Sequence, residues 1–339
     1  MGQITSLFVH KVVDVAAPVS SGMVERRRQL FQSVGVDPDA PVDPKLMVDD
    51  TAYYDLCRTV AQDGDIGASL TVKVGSSMRC DDYGAFGLAW KSAVDLHGSF
   101  QRAARYARVL TSVSIYEVLK ESGNYFMMLH REGPRTLGLR LSNEQTIVAV
   151  TQISREVSTN GFVPLAVHFK HSEPDDISAH EAYFGCPVHF GSDRDAIQVS
   201  KEALRTPNRL GDPSISRFFD AHLEKELSEL ENDLGLDKRV RIQVSQALSE
   251  GIPTLSEIGT RLGMSARTLQ RRLSDQGLSF QTLVDESRRQ LAEQLLTESK
   301  YSLSEIAFLT GFSEQSAFTR AFKRWAGKTP RSYRLASPS

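Results

Sequence analysis

LSEIGTRLGMS, Leu255 to Ser265, returns 48 residues later as LSEIAFLTGFS, Leu303 to Ser313. Leu-Ser-Glu-Ile, the glycine and the closing serine are identical in the two copies. Each copy describes a short amphipathic helix, with Ile258 or Ile306 on its apolar side, that stops at Gly263 or Gly311. A residue without a Cβ lets the chain turn sharply there. Met264 or Phe312 plugs the corner, and Ser265 or Ser313 is placed to cap the following helix through its hydroxyl. Two helices joined by such a turn form a helix-turn-helix, whose second helix reads DNA.

In the first copy the second helix is ARTLQRRLSDQ. Leu269 and Leu273 point inward, Gly277 lies just past the end, and Arg267, Gln270 and Arg271 point outward. The second copy continues as GFSEQSAFTRAFKRWAGKTPRSYR, Gly311 to Arg334, with one extra residue before the helix. Phe318, Phe322 and Trp325 stand at i, i+4 and i+7 and form one core-facing stripe. The opposite face carries Gln315, Ser316, Thr319, Arg320 and Lys323, with no carboxylate among them. Arginine pairs with guanine O6 and N7, and glutamine with adenine N6 and N7. Lys323, Arg324, Lys328 and Arg331 suit phosphate. A short closing helix starts at Pro330 with Thr329 as its cap.

A single helix-turn-helix match also describes an ordinary helical corner. Duplication within a basic region favours DNA. From Leu236 to Ser339 there are 16 basic and 10 acidic residues, against 24 and 32 in the rest of the chain. An acidic body with a basic tail points to a nucleic-acid partner for the tail. Ser279 to Thr297 spans about 28 Å as a helix. That could hold two reading helices roughly one DNA turn, about 34 Å, apart.

A chain of 339 residues suggests two domains, and 40% hydrophobic with 24% charged residues is a globular composition. Three scattered cysteines fit a reducing cytoplasm rather than a disulfide framework. No apolar run is long enough to span a bilayer, so no membrane partner is expected. MGQITS matches the loose myristoylation pattern only as short motifs often do by chance.

The expected organisation is a lead-in over 1–20, an α+β sensing or dimerisation domain over 21–210, a connecting helix and linker over 211–235, and an all-α double helix-turn-helix domain over 236–339. Within the α+β part, AWKSAVDLHGSFQRAARYARVL is helical with a break near Gly98. TSVSIYEVL, NYFMMLHR and TLGLRLS suggest an antiparallel meander, and TIVAVTQISREV a return to helix. VPLAVHFKH reads as a buried strand. Leu223, Leu227, Leu230 and Leu234 form either a short coiled-coil seam or the inner face of a helix laid on its own domain.

Ile306, Ala307, Gly311, Phe312, Phe318, Arg320, Phe322, Lys323, Gly327, Thr329, Pro330, Tyr333 and Arg334 closely resemble the signature of the arabinose-regulator (AraC/XylS) family, over about the last hundred residues. The resemblance implies a seven-helix double helix-turn-helix unit on a cytoplasmic bacterial transcription regulator. By position it places the family's base-reading residues on Arg267, Gln270 and Arg271, and on Gln315, Ser316 and Arg320. VPLAVHFKHSEPDDISAHEAYFGCPVHF resembles a subgroup with an arabinose-binding-like sensor domain, which includes ornithine-utilisation and quorum-linked regulators.

His168, His171, His180, Cys186 and His189 cluster in the sequence, but their spacings match no standard zinc pattern, and an ordinary structural role is expected. A methyl-accepting role for Cys186 is a remote alternative that would need an activating partner. No catalytic residue, metal or cofactor is expected, and no ligand-binding residue is assigned. The resulting expectation is an activator that binds double-stranded DNA as a homodimer, contacts RNA polymerase and responds to a small-molecule effector. The alternative is a regulator whose N-terminal domain serves only dimerisation or protein contact.

Overall fold

The computed structural model describes residues 2–336 apart from 64–68, 122, 132, 134, 234, 249–250 and 299–300. The chain divides into two units, Met1–Leu227 and Ser228–Ser339.

The first unit begins with strand β1 (Gln3–Thr5), which runs straight into helix α1 (Ser6–Ala16). β1 pairs antiparallel with β2 (Met47–Asp49). Residues from Ile4 to Ala17 therefore contribute to the core rather than forming a lead-in, while Pro18, Val19 and Ser20 are exposed. Helix α1 is apolar on more than one side because it lies between two clusters, Leu7 in one and Val9, Val12 and Val13 in the other. Helices α2 (Val24–Ser33) and α3 (Asp50–Gln62) complete the second cluster, and α4 (Leu70–Ser76) contributes to it.

Helices α5 (Ala85–Ser92) and α6 (Leu96–Tyr106) follow. The break between them falls at Asp95 rather than Gly98. The Asp95 carboxylate accepts the Gly98 N–H at 2.8 Å, which places the glycine inside the first turn of α6. Strands β3 (Ser114–Glu121) and β4 (Asn124–Arg131) then form an antiparallel hairpin.

The third strand expected at TLGLRLS does not form. Those residues open α7 (Leu137–Val157), capped by Thr136, whose hydroxyl accepts the Leu139 N–H at 3.3 Å. Of the 21 residues of α7, 15 are buried, so a helix surrounded by protein satisfies a pattern that alternation alone assigns to a strand. Gly138 lets α3 approach closely, since a Cβ there would stand 2.1 Å from the Tyr54 carbonyl oxygen.

Strand β5 (Ala166–His168), helix α8 (Ser178–Phe184), strands β6 (Val188–His189) and β7 (Ala196–Val199) and helix α9 (Lys201–Leu204) follow in order. The main sheet runs β3-β4-β7-β5-β6, and its β5–β6 pair is parallel. Along β4 and β7, Met127, Leu129, Ile197 and Val199 enter the main core, while Phe126, Met128 and Ala196 form a cluster with Leu119 on the alternate face.

Helix α10 (Pro213–Asp233) packs its first part on this unit. Leu223 is fully buried in the core, Leu227 lies against it, and Arg102 binds Asp220 at 2.6 Å. For those two leucines, a helix laid on its own domain is the correct alternative. Leu230 is exposed, and Leu234 lies outside the described residues. The segment expected to connect the domains over 211–235 is thus helical to Asp233 and belongs in its first half to the N-terminal unit.

Four consecutive polar residues of α7, Ser142 to Gln145, are buried, and each has partners, Ser142 accepting from Arg131. Asn143 donates to Asp195 at 3.0 Å, and Gln145 accepts from the Tyr53 hydroxyl at 2.7 Å. Glu144 lies 2.9 Å from His180 Nε2, 3.0 Å from His171 Nε2 and 3.2 Å from Arg140 Nε, and accepts from the Thr71 hydroxyl at 2.9 Å. Burial pushes the Glu144 carboxyl up, but His171 and His180, by hydrogen bonding and charge, hold it well below the usual carboxylate range. A depressed folded-state pKa contributes stability above the ordinary value near 4.5 and loses it as pH falls below that value. Urea unfolding of the native chain should therefore weaken more steeply below pH 5 than that of Glu144→Gln. Parallel pH profiles would rule out this contribution.

The second unit consists of helices joined by short turns and contains no strand among its described residues. Its helices are α11 (Leu236–Ala247), α12 (Leu255–Arg261), α13 (Ala266–Asp275), α14 (Phe280–Glu298), α15 (Leu303–Leu309), α16 (Gln315–Ala326) and α17 (Pro330–Ala336). Helix α14 is the shared spine of two small cores. Leu283 and Val284 pack with Val240, Ile258, Leu269 and Leu273, while Ala292 and Leu296 pack with Ile306, Ala307, Phe318 and Phe322.

Candidate nucleic-acid interface

The two sequence copies build the same corner. Thr254 and Glu257, and likewise Ser302 and Glu305, form reciprocal capping boxes in which each glutamate accepts the cap residue's N–H at 2.7 Å. The repeated glutamate thus serves helix initiation, a role that the spacing T/S-x-x-E could have revealed. Gly263 and Gly311 adopt φ of +67° and +76°. Across each turn, Met264 donates to the Gly259 carbonyl and Phe312 to that of Ala307, both at 2.8 Å. One expectation fails here. Ser265 caps α13 by accepting the Thr268 N–H at 3.1 Å, but α16 begins after Glu314 with no side-chain cap, so Ser313 does not cap it. The extra residue in the second copy moves the helix start beyond the serine's reach.

Ile258, Leu269, Leu273, Ile306, Phe318 and Phe322 are fully buried, and Phe312 lies against Phe318 and Trp325 at ring-centroid distances of 5.7 and 5.9 Å. Pro330 is buried at the start of α17, where the Thr329 hydroxyl accepts the Ser332 N–H at 3.2 Å. Phe322 meets Tyr333 edge-on.

On the outer faces, Arg267, Gln270 and Arg271 of α13 are exposed together, as are Gln315, Ser316 and Arg320 of α16. Thr319 differs: it is half-buried and donates its hydroxyl back to the Gln315 carbonyl at 2.9 Å. Gln315 accepts from Ser304 at 2.7 Å, and Ser316 donates to Glu314 at 3.2 Å. The Glu314 carboxylate at the edge of this face escaped the sequence reading. Lys323, Arg324, Lys328 and Arg331 are all exposed. Among the described residues, neither these four nor Arg267, Arg271 and Arg320 pair with a carboxylate.

The sequence reading also missed Arg288. It sits on α14 in a row with Val284, Ala292 and Leu296 at four-residue spacing, and it is 5% exposed. Its Nε donates to the Thr310 carbonyl at 2.8 Å and an Nη to that of Gly311 at 3.2 Å. The guanidinium lies 3.7 Å from the centre of the Phe312 ring. Arg288 therefore clamps the turn of the second helix-turn-helix onto the spine. A cation interrupting an apolar row was the available signal.

A family model described as the arabinose-binding domain of AraC transcription regulators matches residues 26–208, and a helix-turn-helix model matches 258–336. The chain belongs to the AraC family of transcription regulators. The ornithine utilization regulator of Pseudomonas aeruginosa is 28% identical over 268 residues, 79% of each chain. VirS of Mycobacterium tuberculosis is 36% identical over 166 residues, 49% of this chain and 48% of VirS. The crystal structure of CdpR from Pseudomonas aeruginosa, 20% identical, aligns over 97% of this chain and 98% of that one with a TM-score of 0.45. This regulator is thus a DNA-binding transcription regulator of AraC type and not an enzyme.

The histidine cluster divides between two places. His168 and His189 face each other across β5 and β6 with ring centroids 5.0 Å apart, while His171 and His180 serve Glu144. No group of three or more potential ligands is disposed to hold a metal ion among the described residues. The Cys186 thiol is half-buried, and burial pushes its pKa up to about 11, opposite to the shift a methyl-accepting thiolate needs. No helix among the described residues is long and apolar enough to cross a membrane.

Proposed function

We propose that this regulator is a cytoplasmic activator that reads double-stranded DNA with both helix-turn-helix copies. Arg267, Gln270 and Arg271 on α13 and Gln315, Ser316, Thr319 and Arg320 on α16 meet base edges. Lys323, Arg324, Lys328 and Arg331 meet phosphates. The protein acts as a homodimer, contacts RNA polymerase, and takes its signal from a small molecule held by the N-terminal unit. The observation that carries the DNA interface is the pair of matched corners, one presenting Arg267 and Arg271 and the other Arg320, all exposed and paired with no carboxylate among the described residues. Thr319 is the weakest member, since its hydroxyl is engaged within the helix.

Salt dependence tests this assignment. With about 6 phosphates engaged, log K should fall against log salt with a slope near −5. Lys323→Ala should reduce the slope by about 1 and weaken binding to all sequences alike. A slope near zero on operator DNA would sink the interface as drawn.

A further inference from the structure

The N-terminal unit contains a cleft whose walls come from α1, α3, α4, α5, α6, α7, β3 and β4. It encloses about 660 Å³ of empty space, its open mouth included. The cleft is narrow. Along α7 its lining changes character, from Ser142, Gln145 and Thr146 to Ala149, Val150 and Ile153. From the first to the last of these the helix rises about 16 Å. The far walls are equally apolar, with Met78, Phe86, Trp90 and Leu110.

Arg131 stands at the polar end. Its Nε donates to the Ser114 hydroxyl at 2.8 Å, one Nη to the Ser142 hydroxyl and the other to the Thr146 hydroxyl at 3.2 Å. All three acceptors are neutral, and no carboxylate lies within ion-pair distance of Arg131 among the described residues. These bonds use three of the five N–H donors of the guanidinium, and the neutral Tyr54 hydroxyl also lies beside it. A half-buried cation with no counter-charge among the described residues carries a desolvation cost that an anion would relieve.

We propose that the cleft binds a slender, mainly apolar monocarboxylate, with the carboxylate on Arg131 and the chain along Val150 and Ile153. This rests on the reading of the N-terminal unit as a small-molecule sensor and specifies its ligand class. The matching family model bears arabinose in its description, but a sugar needs hydrogen-bond partners around its whole ring. Here the side-chain hydroxyls beside Arg131 already serve it, Gln145 already accepts from Tyr53, and the remaining wall is largely apolar.

The test is calorimetric titration of the full chain with hexanoate, octanoate, octanamide and arabinose. Octanoate should bind once per chain and about fourfold tighter for each added methylene. Octanamide should bind at least tenfold more weakly, and arabinose not at all. Arg131→Gln should reduce octanoate to the amide's affinity, while Arg131→Lys keeps part of the difference. Should Arg131→Gln fail the circular-dichroism check for folding, the amide comparison on the native chain and the lysine variant still decide. Equal affinity for octanoate and octanamide, or arabinose binding that Arg131→Lys leaves unchanged, would overturn the proposal. Binding to the promoter DNA beside the regulator's own gene separates the two readings. Octanoate that binds through Arg131 without altering DNA affinity upholds the ligand class and refutes sensing. A polar metabolite that alters DNA affinity while octanoate does not bind upholds sensing and refutes the ligand class.

Discussion

Arg288→Ala should cost the second helix-turn-helix about 2–4 kcal/mol, the largest effect expected of any single substitution proposed for this regulator. The side chain is 5% exposed and gives hydrogen bonds to two consecutive carbonyls, those of Thr310 and Gly311. Bonds to a charged donor contribute about 1.5–3 kcal/mol, and truncation leaves both carbonyl groups without their partner. The guanidinium also lies 3.7 Å from the Phe312 ring centre and 5.8 Å from that of Trp325, which adds about 0.5–2 kcal/mol. Burial pushes the Arg288 pKa down from its ordinary value, so the cation is held at some cost that its acceptors and rings offset. Arg288→Lys should fall between wild type and alanine, because an ammonium cannot fork across two carbonyls and stack at the same time. Urea denaturation of the full chain, followed by Trp325 fluorescence in a Trp90→Phe background, measures the loss. A change below 0.5 kcal/mol would show that the turn holds without its clamp. The same variant should lose protection over the DNA segment contacted by α16 while keeping that contacted by α13, since Leu269 and Leu273 belong to the other core.

That partial loss is expected because the C-terminal unit consists of two local objects joined by one helix, which also explains why it was legible. A glycine with positive φ, a capping hydroxyl and a stripe at i, i+4 are short-range signals, and the repeat shows each of them twice. The N-terminal unit depends on distant partners. The stretch from Ile4 to Ala17 joins the core through the pairing of Gln3–Thr5 with Met47–Asp49, a contact that no local pattern announces. TLGLRLS alternates like a strand, and its place in α7 follows from burial on all sides by elements far along the chain. The Glu144 cluster gathers Thr71, Arg140, His171 and His180, and the cleft joins positions from Phe8 to Ile153. Sequence spacing carries a helix face well and a three-dimensional pocket poorly. Ser313 marks the boundary between the two cases: the residue type was right for a cap, and a single extra residue removed it from the position.

Arg271→Ala and Arg320→Ala should each cost about 1–3 kcal/mol on the true operator and much less on unrelated DNA. Both side chains are exposed on the outer faces of α13 and α16, opposite the buried Leu269 and Leu273 in one helix and Phe318 and Phe322 in the other. Neither pairs with a carboxylate among the described residues, so each guanidinium is available for a bidentate contact with guanine O6 and N7. Losing such a contact removes sequence information, so the ratio of specific to non-specific binding should fall about 5- to 150-fold. The base position at which preference relaxes should differ between the two variants. Helix α14, 19 residues or about 28 Å long, links the corners, and the two positions should lie roughly one helical turn apart. Lys323→Ala is the contrasting case, because a phosphate contact positions the protein without reading sequence. It should weaken operator and unrelated DNA by similar factors. The comparison requires matched salt, since the electrostatic contribution shifts every affinity, and circular dichroism to establish that each variant is folded. If both arginine variants lose specific and non-specific binding equally, the arginines hold the backbone, and base reading must pass to Gln270, Gln315 and Glu314 on the same faces.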